Sequence, residues 1–205
     1  MKNVVKYIMA FAVAGMLSAC GQGEVAQTTA NLGSSQVIAD ASKLNTPENT
    51  IYLTTKYGRV TMVMRPDIAP NHVARIKKLT REKFYDGIKF HRVMVGFMAQ
   101  TGDPTGTGTG GSKYPDIAAE FSKEPFLRGT VGMARSSDPD SANSQFFICY
   151  GSGCRSLQGQ YTIVGKVTDG MLAVDKIKKG APGSGTVNGP DKILTMRVAA
   201  DVKAN

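Results

Sequence analysis

Seven short apolar runs, each bounded by glycine, proline or small polar residues, limit what this chain is able to fold into. They cover residues 51–55, 59–64, 90–101, 130–134, 145–150, 161–167 and 193–198. All but one have the length of an ordinary strand, and 90–101 is long enough for one or two. Lys56-Tyr57-Gly58 between the first two is a hairpin signal, and Pro66 and Pro70 stop the second strand. Helical spacing is rare. Val73, Ile76, Lys77 and Leu79-Thr80 form one stripe behind Pro70, a residue suited to a helix start, and Met171, Val174, Ile177 and Lys178 suggest a second. Residues 102–116 are glycine-rich and read as loop. Many strands, two helices and little alternation between them predict a mainly β fold built on an antiparallel sheet. The pattern alone leaves sandwich and barrel even.

The first twenty residues belong to something else. Lys2 and Lys6 precede an apolar stretch from Tyr7 to Leu17, and Leu17-Ser18-Ala19-Cys20 follows. A basic start, a short apolar segment and small residues read as a secretory signal peptide. The stretch is shorter than the roughly 20 residues that a membrane helix needs. Leu17-Ser18-Ala19-Cys20 has the form of a bacterial lipobox, which makes Cys20 the candidate lipidation site. The chain therefore divides into a lipoprotein signal peptide at 1–19, a flexible tether at 20–47 rich in Gly, Gln, Ala, Ser and Thr, and a folded domain at 48–203. The expected location is the bacterial cell envelope, lipid-anchored on the periplasmic side of the inner or outer membrane. Gly21 follows Cys20, where aspartate is associated with inner-membrane retention in some bacteria.

The charge is basic, with 25 Lys and Arg against 16 Asp and Glu. These residues are scattered apart from Lys77-Lys78 and the 176–179 cluster, and no basic stripe interleaved with aromatics appears, so no nucleic-acid partner is expected. A monomer is the default.

Two of the strand-like runs carry polar side chains where a buried face would exclude them. Arg92 and Gln100 stand among Phe90, Val93, Val95, Phe97 and Met98, and Gln145 precedes Phe146-Phe147-Ile148. Unpaired polar groups are costly in apolar surroundings, whereas a greasy wall with a few fixed donors suits a peptide groove. The blocks Phe90-His91-Arg92, Gly96-Phe97-Met98-Ala99-Gln100-Thr101-Gly102-Asp103, Gly132-Met133-Ala134, Ser144-Gln145-Phe146-Phe147-Ile148, Leu157-Gln158-Gly159 and Val164-Gly165-Lys166-Val167 occur in order across residues 50–200. Together they closely resemble the signature blocks of the cyclophilin family of peptidyl-prolyl cis-trans isomerases.

The resemblance implies a closed eight-stranded antiparallel barrel capped by two helices. It implies Arg92 as the catalytic residue, and Phe97, Met98, Phe147 and Leu157 as the walls of a proline pocket. Gln100 and the backbone of Ala134 and Arg135 then hold the substrate chain, and Gln145 and Tyr161 complete the rim. The implied partners are proline-containing polypeptides of the envelope, with folding of exported proteins as the role and the membrane reached through the lipid. No metal, nucleophile or cofactor is expected, because rotation about a peptide bond breaks no covalent bond. Rival readings are a chaperone or scaffold that binds proline segments with incidental catalysis, and a lipoprotein serving surface adhesion.

The remaining residues carry less. His91 is expected to be structural, since isomerisation transfers no proton, and His72 is expected at the surface beside a helix start. Residues 106–113 fail the phosphate-loop spacing, because Lys113 follows Ser112. The resemblance places them as a loop bordering the groove. Asp138-Pro139-Asp140 reads as a turn. Cys149 reads as a buried thiol at a strand end and Cys154 as a loop residue. Free thiols and a disulfide across Gly151-Ser152-Gly153 stay equally open, because sequence does not give the Cα separation. Two positions depart from the commonest family pattern: Ser156 stands where many members have tryptophan, which puts tight cyclosporin binding in doubt, and Tyr161 stands where histidine is common.

Overall fold

A computed structural model describes residues 43–203. The signal peptide, Cys20 and most of the tether expected from the sequence lie outside the described residues. Eight strands form a single antiparallel sheet: β1 (Thr50–Thr55), β2 (Gly58–Met64), β3 (Arg92–Val93), β4 (Met98–Thr101), β5 (Thr130–Met133), β6 (Phe146–Cys149), β7 (Ile163–Asp169) and β8 (Thr195–Val198). Their order is β3-β4-β6-β5-β7-β2-β1-β8. Helix α1 (Pro70–Arg81) follows β2, and the six-residue α2 (Met171–Lys176) follows β7.

Alternation along the strands builds the core. On β2, Val60, Met62 and Met64 are buried while the residues between them are partly exposed, as the period of two requires. Ile51 and Leu53 of β1 and Met196 and Val198 of β8 join them, and α1 adds Val73, Ile76 and Leu79 from one face. The β1–β2 hairpin turns at Lys56-Tyr57, with Thr55 paired to Gly58. Gly58 adopts φ +128°, a conformation that favours glycine.

The sheet does not close. The closed barrel expected from the resemblance is an open, curled sheet with β3 and β8 at its edges. β3 has only two residues before the chain turns at 94–97, too few for a ladder with β8. The edges are instead stitched by single contacts from flanking residues: a Lys89–Lys192 bridge, Phe90 N–H to Asp191 O (2.8 Å) and Ile193 N–H to Ile88 O (2.9 Å).

His72 is a second correction: it is fully buried, not at the surface. The cause is the helix start. Ala69 at the N-cap offers no side-chain acceptor, so Glu120 reaches in from a distant loop. Its carboxylate accepts the N–H groups of Asn71 and His72, both at 3.1 Å, and lies 2.6 Å from His72 Nδ1. A negative group among the free N–H groups of a first turn is favourable. Burial pushes the Glu120 pKa up, but the hydrogen bonds from His72 and Asn71 outweigh it and hold it below the usual range.

Candidate active site

One rung across five strands organises the site. Arg92 on β3 pairs with Gln100 on β4, Gln100 with Phe147 on β6, Phe147 with Gly132 on β5, and Gly132 with Ile163 on β7. Because side chains alternate, the immediate neighbours of these residues point the other way. Ala99, Phe146, Ile148, Val131 and Met133 enter the main core, whereas Met98, Phe147, Cys149 and Ile163 form a second apolar cluster with Phe126 and Cys154. Phe97, Leu157, Tyr161, Ala134 and Met94 pack against that cluster while partly exposed.

The apolar part of the site is a hollow of about 470 Å³ whose walls include Phe97, Met98, Phe147, Leu157 and Tyr161. Phe147 is held by its neighbours: the Phe126 ring lies nearly parallel at 5.9 Å, and Tyr161 meets it edge-on at 5.8 Å. The Arg135 guanidinium carbon stands 4.7 Å from the centre of the Tyr161 ring, and its Nε donates to Gln160 O. Leu157 ends a 3-10 turn, Ser152–Leu157.

The polar part is a directed chain of hydrogen bonds. Arg92 Nη1 donates to Gln100 Oε1 (3.3 Å), and Gln100 Nε2 donates to Gln145 Oε1 (2.9 Å). Gln145 Nε2 in turn donates to the carbonyls of Gly108 (3.0 Å) and Gly110 (2.8 Å). Two further contacts aim the guanidinium: Nε to Ser184 O (3.2 Å) and Nη2 to Met94 Sδ (3.0 Å). Every polar group that looked misplaced in an apolar strand therefore has a partner, which removes the cost of partial burial.

The glycine-rich loop that receives Gln145 is itself built around Asp103. Its carboxylate accepts the N–H groups of Thr105 (2.8 Å), Thr107 (3.0 Å) and Gly108 (2.6 Å), and also the Thr105 hydroxyl. Burial pushes this carboxyl up, but the Thr105 hydroxyl and the backbone donors prevail and hold it far below the ordinary aspartate range. A Cβ on Gly110 would fall 2.2 Å from Asp103 Oδ1, so only glycine lets the loop wrap this tightly. Beyond the loop, a second hollow of about 500 Å³ shares Gln100, Gly108, Ala134 and Arg135 with the first. The Ala134 N–H is spent on Gln145 O (2.9 Å), while the Ala134 carbonyl and Arg135 N–H have no hydrogen-bond partner among the described residues.

Thus the structure gathers all ten site residues expected within the folded domain around two adjoining hollows, and Cys20 alone lies outside the described residues. His91 also lines the first hollow. It is buried, with neither ring nitrogen bonded among the described residues, and burial lowers its pKa. Phe126, Met94 and Ser184 are not singled out by the sequence, and Gly132 enters only within the Gly132-Met133-Ala134 block. Gly132 carried a signal, since glycine inside a strand marks a close approach. Its own Cβ would lie 2.5 Å from Phe147 and 2.8 Å from Phe126.

Cys149 and Cys154, left open by the sequence, form a disulfide with their Cα atoms 6.1 Å apart. Among the described residues no three His, Cys, Asp or Glu side chains form a potential metal site.

The comparisons with known proteins agree with this geometry. Residues 50–198 match the family model described as cyclophilin type peptidyl-prolyl cis-trans isomerase/CLD. A probable peptidyl-prolyl cis-trans isomerase of Brucella suis is 59% identical over 169 residues, covering 77% of this chain and 86% of that protein. A peptidyl-prolyl cis-trans isomerase of Synechococcus elongatus is 37% identical, covering 73% of this chain and 95% of its own length. Among solved structures, a Cryptosporidium parvum cyclophilin-type isomerase in the presence of the dipeptide Ala-Pro superposes with a TM-score of 0.67 at 28% identity, covering 73% of this chain and 98% of that one. Cyclophilin AquaCyp293 from Hirschia baltica gives the same score at 27% identity, covering 77% of this chain and 76% of the other. Given the hollow, the rung that builds it and these relatives, the chain belongs to the cyclophilin family of peptidyl-prolyl cis-trans isomerases.

Proposed function

We propose that Arg92 is the catalytic residue of this isomerase and that it works on exported, proline-containing polypeptides at the bacterial cell envelope. The observation that carries the first part is the placement of one guanidinium, tied at Nε, Nη1 and Nη2, on the rim of an apolar hollow. Rotation of an X-Pro bond meets a barrier of about 18–20 kcal/mol because the C–N bond is partly double. Twisting the amide removes that conjugation and leaves the proline nitrogen pyramidal and basic. A permanently charged donor aimed at that nitrogen binds the twisted state better than either planar isomer. Phe97, Met98, Phe147 and Leu157 hold the pyrrolidine ring still. Gln100 takes the carbonyl side of the rotating bond, and Gln145 fixes Gln100.

The substrate backbone then runs along Ala134 and Arg135, whose carbonyl and N–H are free to pair with it, toward the second hollow. The Ala-Pro dipeptide named for the Cryptosporidium structure is a ligand of the size the first hollow admits. Two observations support the envelope. Residues 1–19 read as a lipoprotein signal peptide followed by Cys20, and a buried disulfide belongs to an oxidising compartment. A lipid on Cys20 then holds the domain at the membrane, each buried methylene contributing about 0.8 kcal/mol.

Replacing Arg92 with alanine tests the chemistry. Catalysed isomerisation of an X-Pro peptide is expected to fall in kcat by on the order of a hundredfold, the usual consequence of deleting one preorganised donor, while peptide binding changes little. A kcat within about threefold of wild type would remove Arg92 from the mechanism.

A further inference from the structure

The Cys149–Cys154 disulfide sits directly behind the proline hollow. Both side chains are fully buried. The residues between them clamp the 94–97 turn through its backbone. Tyr150 N–H and Gly151 N–H both donate to Phe97 O, at 3.0 and 3.1 Å, and Gly153 N–H donates to Gly96 O at 3.1 Å. The Tyr150 hydroxyl donates to Met94 O at 2.6 Å. A Cβ on Gly151 would lie 2.0 Å from the Gly96 carbonyl, so the two segments touch backbone to backbone.

Each end of the bridge leads to a wall. On the strand side Cys149 pairs with Met98. On the other side Cys154 lies within the 3-10 turn that ends at Leu157. The clamped turn carries Phe97. Three of the five walls, Phe97, Met98 and Leu157, are therefore adjacent in structure to one covalent bond. The bridge closes a short loop, five residues apart in sequence, so the chain-entropy gain for the whole domain is at the small end. Its local effect is the larger one.

We infer that the Cys149–Cys154 disulfide is a positioning element of the proline hollow, seating Phe97 and Leu157 so that its reduction weakens the grip on substrate without altering the chemistry at Arg92. Arg92 keeps its ties to Ser184 and Gln100, neither of which touches the clamp, and of its three contacts only the one to Met94 Sδ reaches the clamped turn. This rests on the reading of the hollow as the proline site. Opening the bridge takes two electrons and two protons from a dithiol, which leaves as a cyclic disulfide while Cys149 and Cys154 become thiols. Because both sulfurs are buried, a brief exposure to mild denaturant is needed to let the dithiol in.

The test compares X-Pro peptide kinetics of the full chain as the oxidised protein, the protein reduced by dithiothreitol, and the Cys149→Ala/Cys154→Ala double variant. Leu157→Ala serves as the reference for a damaged wall. Reduction and the double variant are each expected to raise KM by on the order of tenfold with kcat within about twofold, as for a pocket that fits its ligand less well. Reoxidation restores KM in the reduced wild type, whose side chains are otherwise unchanged, and does nothing for the variant. An unchanged KM in both, or a fall in kcat at constant KM, overturns the positioning role. So does alkylation of both cysteines in the oxidised protein, mapped by mass spectrometry. If Leu157→Ala raises KM while reduction does not, only the disulfide proposal fails. If Leu157→Ala also leaves KM unchanged, the reading of the hollow fails with it.

Discussion

Replacing Gly132 with alanine adds one methyl group at a tight point beneath the site. Gly132 lies in β5, opposite Phe147 on β6 and Ile163 on β7. The new Cβ would stand 2.5 Å from Phe147 Cζ, 2.9 Å from Phe147 Cε2 and 2.8 Å from Phe126 Cε1. Carbon atoms in contact sit about 3.5 Å apart, so the Phe147 ring has to give way by about 1 Å. Phe126 lies nearly parallel at 5.9 Å and Tyr161 edge-on at 5.8 Å, which leaves the hollow as the open direction. Overpacking of this kind costs about 1–3 kcal/mol of stability. A ring tilted into the hollow competes with the proline ring, and KM is expected to rise on the order of tenfold with kcat little changed. Urea unfolding gives the first number and X-Pro peptide kinetics the second. Gly132→Ala combined with Phe126→Leu, which makes room behind the ring, is expected to recover part of the KM change. Lost stability with an unchanged KM would show that Phe147 yields away from the hollow, and the account of how the wall is held would be wrong.

Asp103 sets a pH dependence of stability. Burial raises its pKa, but hydrogen bonds from the Thr105 hydroxyl and from the backbone of Thr105 and Gly108 lower it further than burial raises it. Its folded value is therefore depressed below the unfolded one of about 3.9, so its stabilisation is complete above that pH and is lost as pH falls toward the folded value. Wild type is expected to hold its unfolding free energy from about pH 7 to about pH 5 and then decline, and Asp103→Asn to decline less steeply from a lower start; equal slopes would contradict this. Glu120→Ala removes the only side-chain acceptor found at the start of α1 among the described residues and is expected to cost about 1–2 kcal/mol in urea unfolding while KM stays put. For the proposed lipid anchor, Cys20→Ala expressed in a bacterial host is expected to move the protein from the membrane pellet to the soluble fraction; retention in the pellet would count against lipidation there.

The strands and α1 were readable because their patterns are local. Alternation at Val60, Met62 and Met64, and the Val73–Ile76–Leu79 spacing behind Pro70, need no knowledge of distant partners. The 90–101 run resolved into β3 and β4, and Ile177, expected in the second helix, is instead the extended residue that ends α2. What sequence missed depends on partners far along the chain. His72 looked exposed because the residue that buries and caps it, Glu120, lies forty-eight positions away. The closed barrel failed on the brevity of β3, which a continuous twelve-residue apolar run does not reveal. Phe126 lies beside Leu127 in a short irregular stretch, with no periodicity to assign it to the wall behind Phe147. The expected residues that line the two hollows were named through the resemblance. The composition of their strands showed only that Arg92, Gln100 and Gln145 required partners.

Those partners explain why a hydrogen-bonded site costs the core little. On β4, β6 and β5 the period of two sends Ala99, Phe146, Ile148, Val131 and Met133 to the main cluster and sends Met98, Phe147 and Cys149 to the other. The polar chain from Arg92 through Gln100 to Gln145 runs on the second side, where its last donors meet loop carbonyls at Gly108 and Gly110. No link in it needs a partner from the main core. Substitutions on the site face, such as Arg92→Ala or Leu157→Ala, should therefore change kinetics with small effects on unfolding. Substitutions on the core face, such as Ile148→Ala, should cost about 2–5 kcal/mol and reach the kinetics only as the fold loosens. A one-residue slip of β4 or β6 would exchange the two sets, placing Gln100 in the core and Phe146 in the hollow, so the same register that buries the core also assembles the site.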